Sequence, residues 1–358
     1  MSAAATPWWA WIWPILAFAI MLVMMAGVTA GVFAGLGAAV LIAAVFASVY
    51  HAEVIAHRIG EPFGTLVLAV SVTVIEVALI VSIMFGVAAD KAGLVRDTVF
   101  AVVMIVCNGI VGLCLLSGGV RHHEQGFQLQ GASAALAVLA PLTILTLVLP
   151  NVTTSSAGPT FSTSQLIFAG VISLVLYCSF VFVQTVRHRD YFLIPQDGGD
   201  EVHAPTAANA AVISLGLLLL ALVAIVGLAK ALTPALERVI LWFGAPKAVV
   251  GIAIAMLVLL PESLAALRAA RANRLQTSLN LALGSALASI GLTIPAVACV
   301  AIILGQRLDL GLNMKDTVLL ALTLFVGVIT LGTGRTTVLQ GMVHLVIFAA
   351  FLFLSIVP

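Results

Sequence analysis

Hydrophobic residues run along this chain in blocks of membrane length separated by short polar breaks. Taking windows of about 20 apolar residues as spans, the pattern predicts eleven helices, near residues 8–27, 31–50, 63–87, 97–117, 132–150, 165–186, 209–230, 246–266, 278–305, 316–332 and 337–357. The blocks are too long and continuous for the roughly 10-residue alternating segments of an outer-membrane barrel. The fold class read from the pattern is therefore an all-α polytopic membrane protein with about eleven transmembrane helices. The long polar stretch from Arg187 to Asn209 is broken by Pro195, Gly198, Gly199 and Pro205. With the first helix set aside, it leaves five spans on either side. The domains read as an extra N-terminal helix in 1–30, a first five-helix repeat in 31–186, a linker in 187–208 and a second five-helix repeat in 209–358. Asp197, Asp200, Glu201 and His203 in the linker offer either a cluster that attracts cations or, in a solvated linker, charges that need no partner.

Composition agrees with the pattern. Of the 358 residues, 63% are hydrophobic and 8% charged, against about 25% charged in a soluble domain. A net charge of +1 gives no footing for a nucleic-acid partner or a polybasic lipid anchor. Cys107, Cys114, Cys178 and Cys299 lie in apolar runs without metal-type spacing and read as packing residues. No Lys or Arg precedes Arg58, so the charged start of a cleaved signal peptide is missing. Trp8, Trp9, Trp11 and Trp13 read as an interfacial belt, and residues 234–244 as a short interfacial helix. With eight basic residues on one side of the predicted spans and seven on the other, orientation is nearly undetermined.

Against this apolar background a few polar residues stand out. Glu76 lies in the middle of GTLVLAVSVTVIEVALIVSIM, Gly64 to Met84. An ionised carboxylate at the bilayer centre costs roughly 3 kcal/mol on insertion scales, so an acid kept there is a functional candidate. Thr73, one helical turn before it, shares its face and offers a hydroxyl. In the second half Glu262 follows Pro261, which has no N–H and so frees a carbonyl one turn upstream; kinks of this kind line ion sites in transporters. The alternative places Glu262 near the membrane surface, because Arg268 follows within about 9 Å of helix. Ser285, Ser289 and Thr293 recur every four residues in the ninth span, beside Gly284, Ala288 and Gly291, a pattern of close helix contact or a cavity wall. Asn108 in the fourth span either bonds a neighbouring helix or ligates a cation. His344 in the last span is a satisfied buried histidine or a proton relay. Glu53 and His57, at i, i+4 spacing in the cluster His51, Glu53, His57, Arg58 and Glu61, offer either pH sensing or an interfacial ion-pair cluster. No phosphate loop, HExxH, GxSxG or paired-Cys motif is present, so nothing points to an enzyme.

HAEVIAHRIGEPFGTLVLAVSVTVIEVALI (His51 to Ile80), GGVRHHEQGF (Gly118 to Phe127) and PESLAALRAARANRLQTSLNLALGSALASIGLTIP (Pro261 to Pro295) resemble signature stretches of the cation/proton exchangers of the Ca2+:cation antiporter superfamily, nearest to their bacterial ChaA-like calcium/proton antiporters. The resemblance covers nearly the whole chain. It implies two inverted five-helix repeats enclosing a midplane site in a bacterial inner membrane, with Glu76 and Glu262 as essential acids supported by Asn108 and Ser285. Ser289 joins the candidate ligands with Thr73. Thr73 and Leu259 stand where related calcium exchangers carry Asn. Ca2+ prefers six to eight oxygens, so Ca2+/H+ exchange is the first reading, and Na+/H+ or K+/H+ exchange stays open beside it. An uncoupled cation channel is the rival from another class. No cofactor is implied: the metal ion and the protons are cargo, and the bilayer is the other partner.

Overall fold

The computed structural model describes residues 7–27, 31–59, 70–71, 73–74, 76–78, 80–81, 93–193, 208–242 and 248–357. The predicted class holds: the chain is helical almost throughout. Its helices are α1 (Trp8–Met25), α2 (Val32–Ile59), α3 (described in part within 70–81), α4 (Leu94–His122), α5 (Leu129–Asn151), α6 (Thr163–Arg187), α7 (Ala208–Trp242), α8 (Ala248–Arg271), α9 (Leu275–Leu304), α10 (Met314–Leu331) and α11 (Val338–Ile356). Among the described residues nine helices are long and apolar enough to cross a membrane, and the bent α8 makes a tenth. Phe168, Val212, Ile303 and Phe325 are each more than half exposed on these helices, as surfaces that face lipid should be.

Helix ends follow local chemistry. Ser162 caps α6 in a capping box with Gln165, and Thr337 does the same for α11 with Gln340; each pair satisfies N–H groups that the first turn leaves open. Asn313 accepts the Asp316 N–H at the start of α10. Gly305, at φ +63°, closes α9 in the left-handed conformation that glycine adopts without strain.

Residues separate into two compact units that cut across the halves of the sequence: Met1–Gly86 with Gln196–Val250, and Val87–Pro195 with Gly251–Pro358. Within the first unit α1, α2 and α7 pack on one another. Pro14 lies inside α1. Its missing N–H leaves the Ala10 carbonyl without a helical donor, and His51 Nε2 of α2 donates to that carbonyl at 2.8 Å. Trp9 packs edge-on against Tyr50 beside it. His51 is fully buried, and its bond ties α2 to α1. Replacing His51 by Phe strands a buried carbonyl and is expected to destabilise the folded protein by about 1–3 kcal/mol. A lower unfolding temperature in detergent, restored by His51→Gln, would show it; equal temperatures for all three would remove His51 from the docking.

α7 corrects a second expectation. Instead of a span followed by a separate interfacial helix over 234–244, one helix of 35 residues runs through Pro234 to Trp242. A single proline deletes one ladder bond, and the residues after it are good helix formers, so the helix continues. The acidic linker residues Asp197, Asp200, Glu201 and His203 lie outside the described residues, as does Glu61, and His57 lies where side chains are not described.

In the second unit α9 packs on α4, α5 and α6, and α4 packs on α11. α4 is the most buried of the spans. Gly109 and Gly112 let α11 approach: a Cβ on Gly112 would lie 3.1 Å from His344 Cβ, and one on Gly109 would lie 3.3 Å from the Phe348 ring. Cys107 and Cys114 are buried in this core, whereas Cys178 and Cys299 are exposed on the outer faces of α6 and α9; the packing reading holds for the first pair only.

Candidate cation site

The Glu76 helix belongs to the first unit and Glu262 to the second. Within α3, Thr73 and Glu76 are each 3% exposed while Val74 is 46% exposed. Three residues of helix therefore place the hydroxyl and the acid on one buried face, as their spacing predicts.

α8 bends by 53° between Gly251–Leu260 and Glu262–Arg271. Pro261 at the junction cannot donate to the carbonyl four residues before it, and that missing bond is the usual origin of such a kink. Glu262, the first residue beyond it, is 5% exposed. The Ser285 hydroxyl of α9 donates to Glu262 Oε2 at 2.5 Å. A hydroxyl given to a carboxylate is a charge-assisted bond, stronger than one between neutral groups. Ser289 and Thr293 follow Ser285 along α9, and both are buried at 2% and 0% exposure. The recurring small polar residues thus form an inward face, with one member on the acid.

Asn108 belongs to the same unit, in a segment that packs on α9. It sits in a π-helical segment of α4, Ile105–Ile110, the kind of local widening found often at functional positions. Its Nδ2 donates to Thr323 of α10 at 2.9 Å, and its Oδ1 meets His344 Nδ1 of α11 at 3.2 Å. His344 Nε2 in turn meets the Thr330 hydroxyl at 3.1 Å. Asn108 therefore does bond neighbouring helices, and His344 is buried with both ring nitrogens engaged. Thr323 and Thr330 went unremarked in the sequence; seven residues apart on α10, they share one helix face, which was the available signal. Glu53 is half-buried on α2.

An all-helical membrane protein with buried carboxylates, one of them accepting a serine hydroxyl, has a composition suited to a transporter of cations. Its relatives agree. The sodium/calcium exchanger protein family matches residues 28–186 and 213–357. A putative ionic transporter, y4hA, of Sinorhizobium fredii (strain NBRC 101917 / NGR234) is 51% identical over 361 residues, covering 100% of this chain and 98% of the relative. The sodium-potassium/proton antiporter ChaA of Escherichia coli (strain K12) is 38% identical over 307 residues, covering 84% and 82%. Among solved structures, that of a selenium-substituted Ca2+/H+ antiporter protein, YfkE, shares the fold with a TM-score of 0.71 at 16% identity, over 98% of this chain and 99% of that one. The chain belongs to the sodium/calcium exchanger protein family, and is a membrane cation/proton antiporter of the Ca2+:cation antiporter superfamily, not an enzyme.

Proposed function

We propose that this antiporter moves Ca2+ against protons, with Glu76 and Glu262 each holding either the cation or a proton. The observation that carries the reading is Glu262: a carboxylate buried at a helix bend and held by the Ser285 hydroxyl. Burial disfavours the bare charge, and a proton or a cation each removes that penalty. The two ligands therefore compete for the same oxygens. Thr73, Asn108, Ser285 and Ser289 supply further oxygens. The match of one family to two separate stretches of the chain supports two repeats, each carrying one acid. A second reading, Na+ or K+ against protons, is favoured by the 38% relative, a sodium-potassium/proton antiporter, and by buried Leu259 one turn before Glu262, where the side chain offers no oxygen.

Proton release from reconstituted vesicles on adding CaCl2, NaCl or KCl in turn, followed with a pH-sensitive dye, separates these readings. Release with CaCl2 is expected; release with NaCl or KCl alone selects the second reading. Cation uptake that no pH gradient can drive would leave a channel. Competition also sets the sign of the pH effect. The half-saturating cation concentration is expected to rise as pH falls, by up to about tenfold per pH unit for each proton displaced. A half-saturation independent of pH between 6 and 9 would mean that proton and cation do not share oxygens.

A further inference from the structure

Asn108 and three buried polar side chains near it, Thr323, His344 and Thr330, form hydrogen bonds that all run in one direction. Thr323 gives its hydroxyl proton to the Leu319 carbonyl at 2.7 Å, so its oxygen faces Asn108 as an acceptor, and the amide must present Nδ2 there. On the other side the amide oxygen meets His344 Nδ1, which must then carry the ring proton, while Nε2 takes the Thr330 hydroxyl. Reversing the amide would need a different histidine tautomer and would take Thr323 off Leu319.

This matters because an amide and its flipped form have nearly the same shape, with oxygen and NH2 exchanged. Packing cannot choose between them, but the polarity of the neighbours can. The second N–H of Nδ2 points at Met104 Sδ, 3.8 Å away. What the described partners leave on the amide is one lone pair of Oδ1, the valence a hard cation uses.

We propose that His344 is a positioning residue for Asn108: by donating from Nδ1 it keeps oxygen, rather than NH2, on the ligating side of the amide, and so sets how tightly the antiporter holds its cation. The inference rests on the reading of Asn108 as a cation ligand. Thr323 and His344 hold the two ends of the amide, and Gly112 leaves the space in which His344 Cβ sits. Without the imidazole only the Nδ2 end, on Thr323 and the long contact to Met104 Sδ, opposes the flip, and a flipped amide turns N–H groups toward the cation.

The test uses the full-length protein in vesicles, with proton release measured against CaCl2, NaCl and KCl concentration for His344→Phe, His344→Asn and His344→Gln. An Asn amide reaches the place of Nδ1, and a Gln amide that of Nε2. His344→Phe is expected to raise the half-saturating cation concentration about tenfold, the effect of one lost hydrogen bond, with a maximal rate within about twofold of wild type. His344→Asn should return it to within about threefold, and His344→Gln should not. If the Phe variant does not fold, the Asn and Gln pair decides alone. Equal behaviour of Asn and Gln, or a fall in maximal rate with half-saturation unchanged, would assign His344 a merely structural part and overturn the proposal. Asn108→Ala separates the two levels. Unchanged half-saturation there defeats the ligand reading and this inference with it, whereas a rise there without one in His344→Phe defeats the inference alone.

Discussion

Glu262→Gln is expected to abolish cation-driven proton release in everted or reconstituted vesicles while leaving the protein folded. Gln matches Glu in size, and its amide oxygen can accept the Ser285 hydroxyl that now donates to Oε2 at 2.5 Å. What it lacks is a charge to offset the cation and a proton to give up. Removing a buried charge also removes its desolvation penalty, so the unfolding temperature should stay level or rise. Loss of transport beside retained stability distinguishes a carrier of the exchanged ions from a structural acid. Glu76→Gln is expected to behave alike, its face being buried with Thr73 at 3% exposure. Near-normal exchange in either variant would take that acid out of the mechanism.

Gly341→Ala is expected to have the largest effect on stability. A Cβ at Gly341 would meet the backbone of Leu116, lying 2.8 Å from its Cα and 2.9 Å from the Gly112 carbonyl oxygen. These are backbone atoms, so no side chain can turn aside, and α11 must withdraw from α4. Overpacking of this kind usually destabilises by about 1–3 kcal/mol, occasionally more. The withdrawal should also lengthen the His344 to Asn108 bond, since His344 stands one turn further along α11. A lower unfolding temperature in detergent together with a raised half-saturating cation concentration is the expected pair of results. An Ala variant with both values unchanged would show that the two helices do not touch through Gly341. Gly119, whose Cβ would fall 2.7 Å from the Val338 nitrogen, marks the same approach one end further on.

The helices and the acids were legible in the sequence because each depends on local chemistry. Twenty apolar residues in a row have few ways to satisfy their backbone in lipid other than as a helix, and an isolated Glu within such a run needs a reason to be there. Pro261 announced the bend of α8, since a missing N–H acts on the carbonyl of its own helix. Even the inward face of Ser285, Ser289 and Thr293 followed from four-residue spacing. Where local reasoning failed, the cause was a neighbour supplied by the fold. The reading of 234–244 as a separate interfacial helix failed for a local reason instead, since one proline removes a single ladder bond and α7 continues through Pro234.

The partners of the polar residues were set by tertiary structure alone. Asn108 and His344 stand 236 positions apart, and no periodicity links a position in the fourth span to one in the eleventh. Ala10 and His51 are 41 apart; Pro14 frees the carbonyl by itself, but only the packing of α1 on α2 brings a donor to it. What this sequence determined on its own is therefore a helical membrane protein with two costly acids and, one turn from Glu76, the Thr73 hydroxyl, because helix geometry and the expense of burying charge act within a segment. Which hydroxyl reaches Glu262, which way the Asn108 amide points and which histidine ties α2 to α1 were decided by contacts between segments, and a hydrogen bond requires an approach of about 3 Å that sequence spacing does not encode.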